Sequence, residues 1–213
     1  MINSERMTTF LNSFYKPLTP FLESLAEEAS GNGVPIIRPD VRNFIRVFLE
    51  EKKPEAILEI GTAVGFSAIL MASYTPDRTR ITTVEDWEPR IPIARDNICK
   101  AGFQDRITLI FGDGGQVMKN LDGPYDFIFM DAAKGQYLNF LPEVTRLLRK
   151  GGVLISDNCL QDGDLLESHY IVERRNRTIY KRMRQYLFAL THSNDFETTI
   201  LPIGDGLTVS VRV

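Results

Sequence analysis

Cysteine and histidine are almost absent from this sequence. Two cysteines, Cys99 and Cys159, and two histidines, His169 and His192, occur in 213 residues. The cysteines lie far apart and match no metal-ligand spacing, so neither a disulfide framework nor a thiolate metal site is indicated. Both are expected as buried or half-buried thiols, packing as small apolar groups. The histidines belong to no ligand cluster, which argues against chemistry built on histidine; each is expected at the surface or as a cap. Long apolar runs are missing too. No stretch approaches the roughly 20 residues that span a bilayer, and the polar opening MINSERMTTF has no apolar leader core. A cytoplasmic protein without membrane contact is therefore expected. Basic charge is not in excess either. The 25 Lys and Arg against 28 Asp and Glu give a formal net charge of −3, which excludes a surface that is cationic throughout.

Repeats, low-complexity tracts and linkers are also missing. The length suits a single domain, residues 1–213, with a sizeable core, and residues 1–50 read as its helical part. Phe10, Leu11, Phe14 and Leu18 fall at helical spacing, as do Leu22 and Leu25. Ser30-Gly31-Asn32-Gly33 breaks the pattern, and Pro39 starts a helix with Val41, Phe44, Ile45, Phe48 and Leu49 on one face. Strands and helices then alternate. Strands are expected at 56–60, 80–85, 107–111, 125–130 and 153–156. The very apolar run Tyr125–Met130 reads as central. Helices are expected at 67–74, at 138–149 closed by Lys150-Gly151-Gly152, and over roughly 173–190. The runs 196–201 and 207–213 flank Gly204-Asp205-Gly206 and read as a hairpin. This order predicts an α/β fold: a mostly parallel sheet with helices on both faces and an antiparallel C-terminal hairpin. Ligands of such sheets bind beyond the carboxyl ends of the strands, so the residues just after each strand matter most.

After the first strand comes Glu59-Ile60-Gly61-Thr62-Ala63-Val64-Gly65-Phe66-Ser67. Gly61 and Gly65 permit a tight turn close to a ligand, and Ser67 can cap the next helix. Two glycines four apart are not the dinucleotide fingerprint, and a pyrophosphate site has little support. The second strand ends in Glu85, about 20 residues past the loop, where a carboxylate suits a ribose diol. A solvated strand-end glutamate is the bland alternative. The third ends in Gly112-Asp113-Gly114, where Asp113 can accept from an adenine amino group or simply shape a turn. The fourth and fifth strands end in Asp131-Ala132-Ala133-Lys134 and Asp157-Asn158. Two carboxylates and an amide on one rim suit Mg²⁺ or a similar hard cation, unless they are only strand-end turns.

The segments EIGTAVGFS, IFMDAAKGQY and GGVLISDN together resemble the catechol and caffeoyl-CoA O-methyltransferase family. The resemblance runs from about Val34 to the end. It implies a Rossmann-like class I methyltransferase fold with a seven-stranded sheet, S-adenosylmethionine as methyl donor and Mg²⁺ held by Asp131, Asp157 and Asn158. It implies cofactor contacts at Ile37, Glu59, Gly61, Thr62, Gly65, Ser67, Glu85, Asp113, Gly114 and Asp131. It also implies a homodimer and a catalytic pair, Asp131 and Lys134, with Lys134 as general base. In that scheme the metal chelates two vicinal substrate oxygens, a neutral Lys134 takes the hydroxyl proton, and the methyl transfers in line.

A basic segment bears on the substrate. Arg174, Arg175, Arg177, Lys181, Arg182 and Arg184 place six cations in eleven residues, with Tyr180 among them. Such a run is either a solvated helix face or a ridge for a polyanion. With DAAKGQY, SDN and the ending PIGDGL, it resembles one bacterial branch of the family, the tRNA 5-hydroxyuridine methyltransferases. That resemblance implies methylation of the 5-hydroxyl at the anticodon wobble position, with Arg174, Arg175, Arg177, Lys181 and Arg182 as tRNA contacts. The vicinal 5-hydroxyl and 4-carbonyl oxygens resemble a catechol, and an anticodon loop can splay out its bases. Two features depart from the pattern. Asp162-Gly163-Asp164 adds negative charge beside the RNA face, and Ala132 and Ala133 replace an aromatic wall. The competing readings are a small-molecule O-methyltransferase for catechols or hydroxycinnamoyl thioesters, a non-catalytic binding module and an NAD-dependent dehydrogenase. The glycine spacing and the acidic rim disfavour the last.

Overall fold

The computed structural model describes residues 5–168 and 170–213, with the backbone alone for Asp162. The role expected for His169 lies outside the described residues. Seven strands form one sheet in the order β3-β2-β1-β4-β5-β7-β6. They are β1 (Ala56–Ile60), β2 (Arg80–Glu85), β3 (Ile107–Phe111), β4 (Tyr125–Met130), β5 (Leu148–Ser156), β6 (Phe196–Leu201) and β7 (Leu207–Arg212). The first five pair in parallel; β7 runs antiparallel to both β5 and β6. The expected fold class is therefore present, and β4 is indeed the central strand. Among the described residues eight α-helices accompany the sheet: α1 (Glu5–Asn12), α2 (Pro20–Gly31), α3 (Pro39–Lys52), α4 (Phe66–Ser73), α5 (Ile91–Lys100), α6 (Gly114–Lys119), α7 (Tyr137–Leu147) and α8 (Arg177–Thr191). None is long and apolar enough to cross a membrane among the described residues.

Alternation along the strands divides the core in two. Ile57, Phe127, Phe129 and Ile155 face α2, α3, α4 and α5, while Leu58, Ile128, Met130 and Leu154 face α6, α7 and α8. Both faces are covered, so these strands read as continuous apolar runs rather than as alternating ones. The strand order reverses between β1 and β4, and the carboxyl ends there open a crevice.

Four expectations need correction. First, α1 ends at Asn12 and buries no side chain; Phe10 and Phe14 stand 60% and 70% exposed. The chain restarts as α2, with Pro20 at its first turn and the Thr19 hydroxyl accepting from the Leu22 amide at 3.4 Å. Helical spacing alone does not reveal a Pro17 to Pro20 break. Second, Leu148 and Arg149 begin β5 instead of ending α7. Leu148 pairs with Tyr125 while Phe127 pairs with Val153, so Lys150-Gly151-Gly152 is a bulge within the strand rather than a cap. Third, the basic segment is a short 3₁₀ turn, Arg174–Asn176, followed by α8. Tyr180, Met183, Tyr186 and Leu190 of α8 are buried, so the helix is amphipathic and not polar. Fourth, Cys99 is exposed on α5, whereas Cys159 is buried.

Phe127, wholly buried at the centre of the sheet, is the side chain whose loss should be felt most. A Phe127→Ala variant is expected to lose about 3–5 kcal/mol of unfolding free energy, read from urea denaturation. A loss below about 1 kcal/mol would mean that this core is not packed around β4.

Candidate functional site

A cleft of about 530 Å³ lies at the switch in strand order. Its first wall is the turn after β1. The Gly61 and Thr62 amides both donate to Val84 O, at 2.9 and 3.2 Å, and the Asp131 amide donates to Ile60 O at 3.0 Å. Gly61 has φ +105°, and a Cβ there would lie 2.0 Å from the Asp131 carbonyl oxygen. Only glycine lets the turns after β1 and β4 touch in this way. Glu85 then ties the turns after β1 and β2 together. Its Oε2 accepts from the Ala63 amide at 2.7 Å and its Oε1 from the Trp87 amide at 3.0 Å. Each oxygen keeps a lone pair, so a diol can still be bound. Asp113 uses Oδ1 to cap α6 through the Gln116 amide at 2.9 Å; its turn role and its place on the cleft coexist.

Ile37, Gly61, Thr62, Ser67, Glu85, Asp113, Gly114 and Asp131 all line the cleft. Glu59 and Gly65, also expected at the cofactor, do not. Gly65 is the N-cap residue of α4, a place expected for Ser67, which stands inside the helix instead. Glu59 is fully buried behind the wall. Its Oε2 accepts from Thr83 Oγ1 at 2.5 Å, and its Oε1 has no hydrogen-bond partner among the described residues. Burial pushes this carboxyl up to about 7, against the pull of the Ser67 and Thr83 hydroxyls, and the charges of Asp131 and Glu85 push the same way.

The opposite wall carries the acidic rim. Asp131, Asp157, Asn158 and Lys134 all border the cleft. The Tyr137 hydroxyl donates to Met130 O at 3.2 Å and Asp157 O at 3.1 Å, which locks the ends of β4 and β5 together. Asn158 adopts φ +56°, a left-handed conformation that asparagine tolerates, and its amide donates to Asp157 Oδ1 at 2.7 Å. Burial raises the carboxyls of both Asp131 and Asp157. Lys134 draws Asp131 back down, while the charge of Asp131 raises Asp157 further. Two mutually repelling carboxylates, Asp157 buried and Asp131 half-buried, gain from a bound cation. Among the described residues no three His, Cys, Asp or Glu side chains gather to hold a metal. Asp131, Asp157 and Asn158 could offer a hard dication two carboxylates and an amide.

The basic segment is less uniform than its sequence. Arg174, Arg175, Lys181 and Arg182 are exposed. Arg175 pairs with Glu173 at 2.7 Å. Arg177 is half-buried and donates to Val172 O at 3.0 Å and Tyr170 O at 3.2 Å, which engages it in holding the preceding loop. Arg182 donates to Gly135 O at 3.1 Å, one residue from Lys134. Tyr180 faces the core, with its hydroxyl on Glu167 O at 3.2 Å, so it is no stacking platform. Asp164 accepts from Asn176 at 3.2 Å.

Asp205 and Arg90 also line the cleft and carry no role in the sequence reading. Asp205 is 4% exposed and pairs through Oδ2 with Lys134 Nζ at 3.4 Å. Arg90 stacks over Trp87 at 4.8 Å, and its buried Nε lacks a partner among the described residues. A Gly-Asp-Gly turn signals a bend, not a neighbour 71 residues away, and nothing in the sequence around Arg90 points to the cleft.

A family model described as O-methyltransferase matches residues 13–213. The catechol O-methyltransferase of Niastella koreensis is 32% identical over 152 residues, 68% of this chain and 67% of that protein. The caffeoyl-CoA O-methyltransferase of Stellaria longipes is 27% identical over 82% of this chain and 75% of its own. Among solved structures, a Staphylococcus aureus protein proposed to be a caffeoyl-CoA O-methyltransferase superposes with a TM-score of 0.91 at 31% identity, over 98% of this chain and all of that one. An O-methyltransferase from Bacillus cereus, in complex with SAH, gives 0.84 at 25% identity, over 98% and 97%.

Glu59 gives the site a pH signature. Its folded value of about 7 lies above the ordinary value of 4.5, so between these limits the folded state holds a proton that the unfolded state has lost. Stability from this group therefore falls as pH rises from 4.5 to 7, by roughly 3 kcal/mol. In cofactor-free protein, Glu59→Gln is expected to gain on the wild type by this amount between pH 5 and pH 8 in urea denaturation. A difference that stays constant over this range would contradict the raised carboxyl.

Proposed function

We propose that this chain, which belongs to the O-methyltransferase family, transfers the methyl group of S-adenosylmethionine to the 5-hydroxyl of 5-hydroxyuridine at the wobble position of a tRNA anticodon, giving 5-methoxyuridine. O-methyl transfer is the family's reaction, and the Bacillus cereus relative in complex with SAH supports S-adenosylmethionine as donor. The observation that carries the RNA reading is the Arg182–Gly135 contact. It places a helix bearing exposed cations directly against the turn that holds Lys134.

The cleft divides into a cofactor half and a reaction half. The cofactor brings an electrophilic methyl group on its sulfonium. Glu85 suits its ribose hydroxyls and Asp113 its adenine, while the Gly61 turn sets how near it comes to Asp131. In the reaction half, Asp131, Asp157 and Asn158 would hold Mg²⁺, which would supply Lewis acidity there and make the substrate hydroxyl more acidic. Lys134 Nζ takes the hydroxyl proton. Ala132 and Ala133 leave width at the rim for a flipped base. A small phenol is the second reading, and the names of the Niastella koreensis and Stellaria longipes relatives favour it. The face that α1 leaves in solvent, with Phe10 and Phe14, is assigned to a homodimer contact. Light scattering should read twice 24.2 kDa; the single-chain mass would refute this.

The substrate is decided by incubating the protein with labelled S-adenosylmethionine and Mg²⁺, with and without EDTA, on tRNA carrying 5-hydroxyuridine and on catechol. EDTA-sensitive 5-methoxyuridine with little catechol turnover is expected. Catechol methylation with untouched tRNA would overturn the RNA reading and leave the chemistry standing. In the Arg174→Ala/Arg175→Ala variant, the salt dependence of tRNA binding should flatten by about one unit of slope per lost phosphate contact. An unchanged slope removes these two residues from the RNA surface.

A further inference from the structure

We propose that Asp205 is a positioning residue whose carboxylate holds the Lys134 ammonium-bearing tip at the reaction half of the cleft. The inference rests on the reading of Lys134 as the group that takes the hydroxyl proton: the ammonium that Asp205 holds first gives up a proton to solvent, and the neutral amine, still donating an N–H to the carboxylate, accepts the hydroxyl proton.

Lysine carries its nitrogen on a flexible four-carbon stem, so a lysine that must act at one atom needs a partner for its tip. Here the backbone of Lys134 is held by two bonds of its neighbours, the Gln136 amide to Ala133 O at 2.8 Å and Arg182 to Gly135 O at 3.1 Å. The side chain is 31% exposed, and neither bond restrains its tip. Asp205 does, at 3.4 Å, from a side chain only 5% exposed.

The carboxylate is well anchored. It sits in the turn between β6 and β7, and this turn is pinned from two sides by three hydrogen bonds. The Leu160 amide donates to Asp205 O at 2.9 Å, the Cys159 amide to Gly206 O at 2.7 Å, and the Gly204 amide to Asp40 Oδ2 at 2.7 Å. Gly206 has φ +85°, and a Cβ there would come within 2.4 Å of Leu160. The turn therefore cannot shift without disturbing the segment that follows Asp157.

Electrostatics make the placement matter. Asp131 and Asp157 also attract Lys134. Without Asp205 the lysine tip would fall toward those two carboxylates, into the place assigned to the cation. Asp205 draws it the other way. Asp205 itself does not complete a ligand cluster, since no three acidic groups gather for a metal among the described residues. Its partner is the lysine.

The test is a double-mutant comparison, with tRNA carrying 5-hydroxyuridine and catechol both supplied as substrates. Asp205→Asn keeps the shape and removes the charge. It is expected to lower kcat about 10–100-fold, the scale for a misplaced reacting group, while SAH affinity by calorimetry stays within about threefold of wild type. Asp205→Glu should recover part of kcat. In a Lys134→Met background, Asp205→Asn should cost nothing further, because the group it positions is gone. A full additional loss there, or a wild-type kcat for Asp205→Asn alone, overturns the proposal. Lys134→Met turning over at the wild-type rate instead sinks the reading of Lys134 as the base, a separate failure. Should Asp205→Asn unfold at assay temperature, Asp205→Glu and Asp205→Ser in both backgrounds decide by the same comparison.

Discussion

The site depends on one close approach, the Gly61 backbone against the Asp131 carbonyl. The turn after β1 shapes the half of the cleft suited to a cofactor, and the turn after β4 begins the half suited to chemistry. Both strands end at the reversal of strand order, so their turns diverge to opposite faces unless something draws them together. With no Cβ at Gly61, the two backbones meet. The hydrogen bond from the Asp131 amide to Ile60 O fixes the register of this meeting, and the buried Tyr137 hydroxyl extends it to β5. Electrophile and acceptor would thus be delivered from adjacent strand ends, where small shifts count heavily in an in-line displacement.

This geometry concentrates negative charge. Glu59 and Asp157 are buried and Asp131 is half-buried, and desolvation raises each of them. An unliganded fold of this kind spends stability on its site, as functional sites commonly do. Relief comes from cations of different kinds. Lys134 stabilises Asp131 directly, Asp205 keeps that lysine from collapsing onto the pair, and the hard cation proposed above would stabilise both carboxylates. The wall at Glu59 has no such partner, and its carboxyl simply sits closer to neutral.

The sheet was legible in the sequence because both of its faces are covered. The strands at 56–60, 107–111 and 125–130 appear as short, mostly apolar runs and the one at 80–85 as a mixed run ending in Glu85, and the boundaries of all four match the structure. Boundaries failed where tertiary pairing overrode local pattern, as at Leu148 and Arg149. There the pairing with Tyr125 and the Arg149–Asp126 ion pair draw helix-forming residues into a strand. The residues on the strand ends were legible for the same reason as the strands, since position after a strand is a local property. Asp205 and Arg90 were not. Their importance lies in contacts across the fold, and no local pattern encodes the Lys134 tip 71 residues from Asp205. Glu59 and Gly65 illustrate the reverse: they belong to the loop by sequence but lie behind the wall that the loop builds.

The basic segment shows how a charge run divides once it folds. Read as a string, its six cations look equivalent. In the fold, Arg177 braces a loop, Arg184 donates to Leu165 O at 3.3 Å and lies over Tyr180, and Arg175 pairs locally. Arg182 touches the turn that carries Lys134. A solvated face would leave its cations interchangeable, whereas a docking face joined to catalysis needs one contact that reaches inward. In the RNA reading proposed above Arg182 would be that contact, and a polyanion drawing its guanidinium outward would loosen the Gly135 end of the turn while Asp205 still held the lysine tip. The two restraints on Lys134 thus act on different parts of it: one on backbone, open to the substrate surface, and one on the side chain, sealed within the fold.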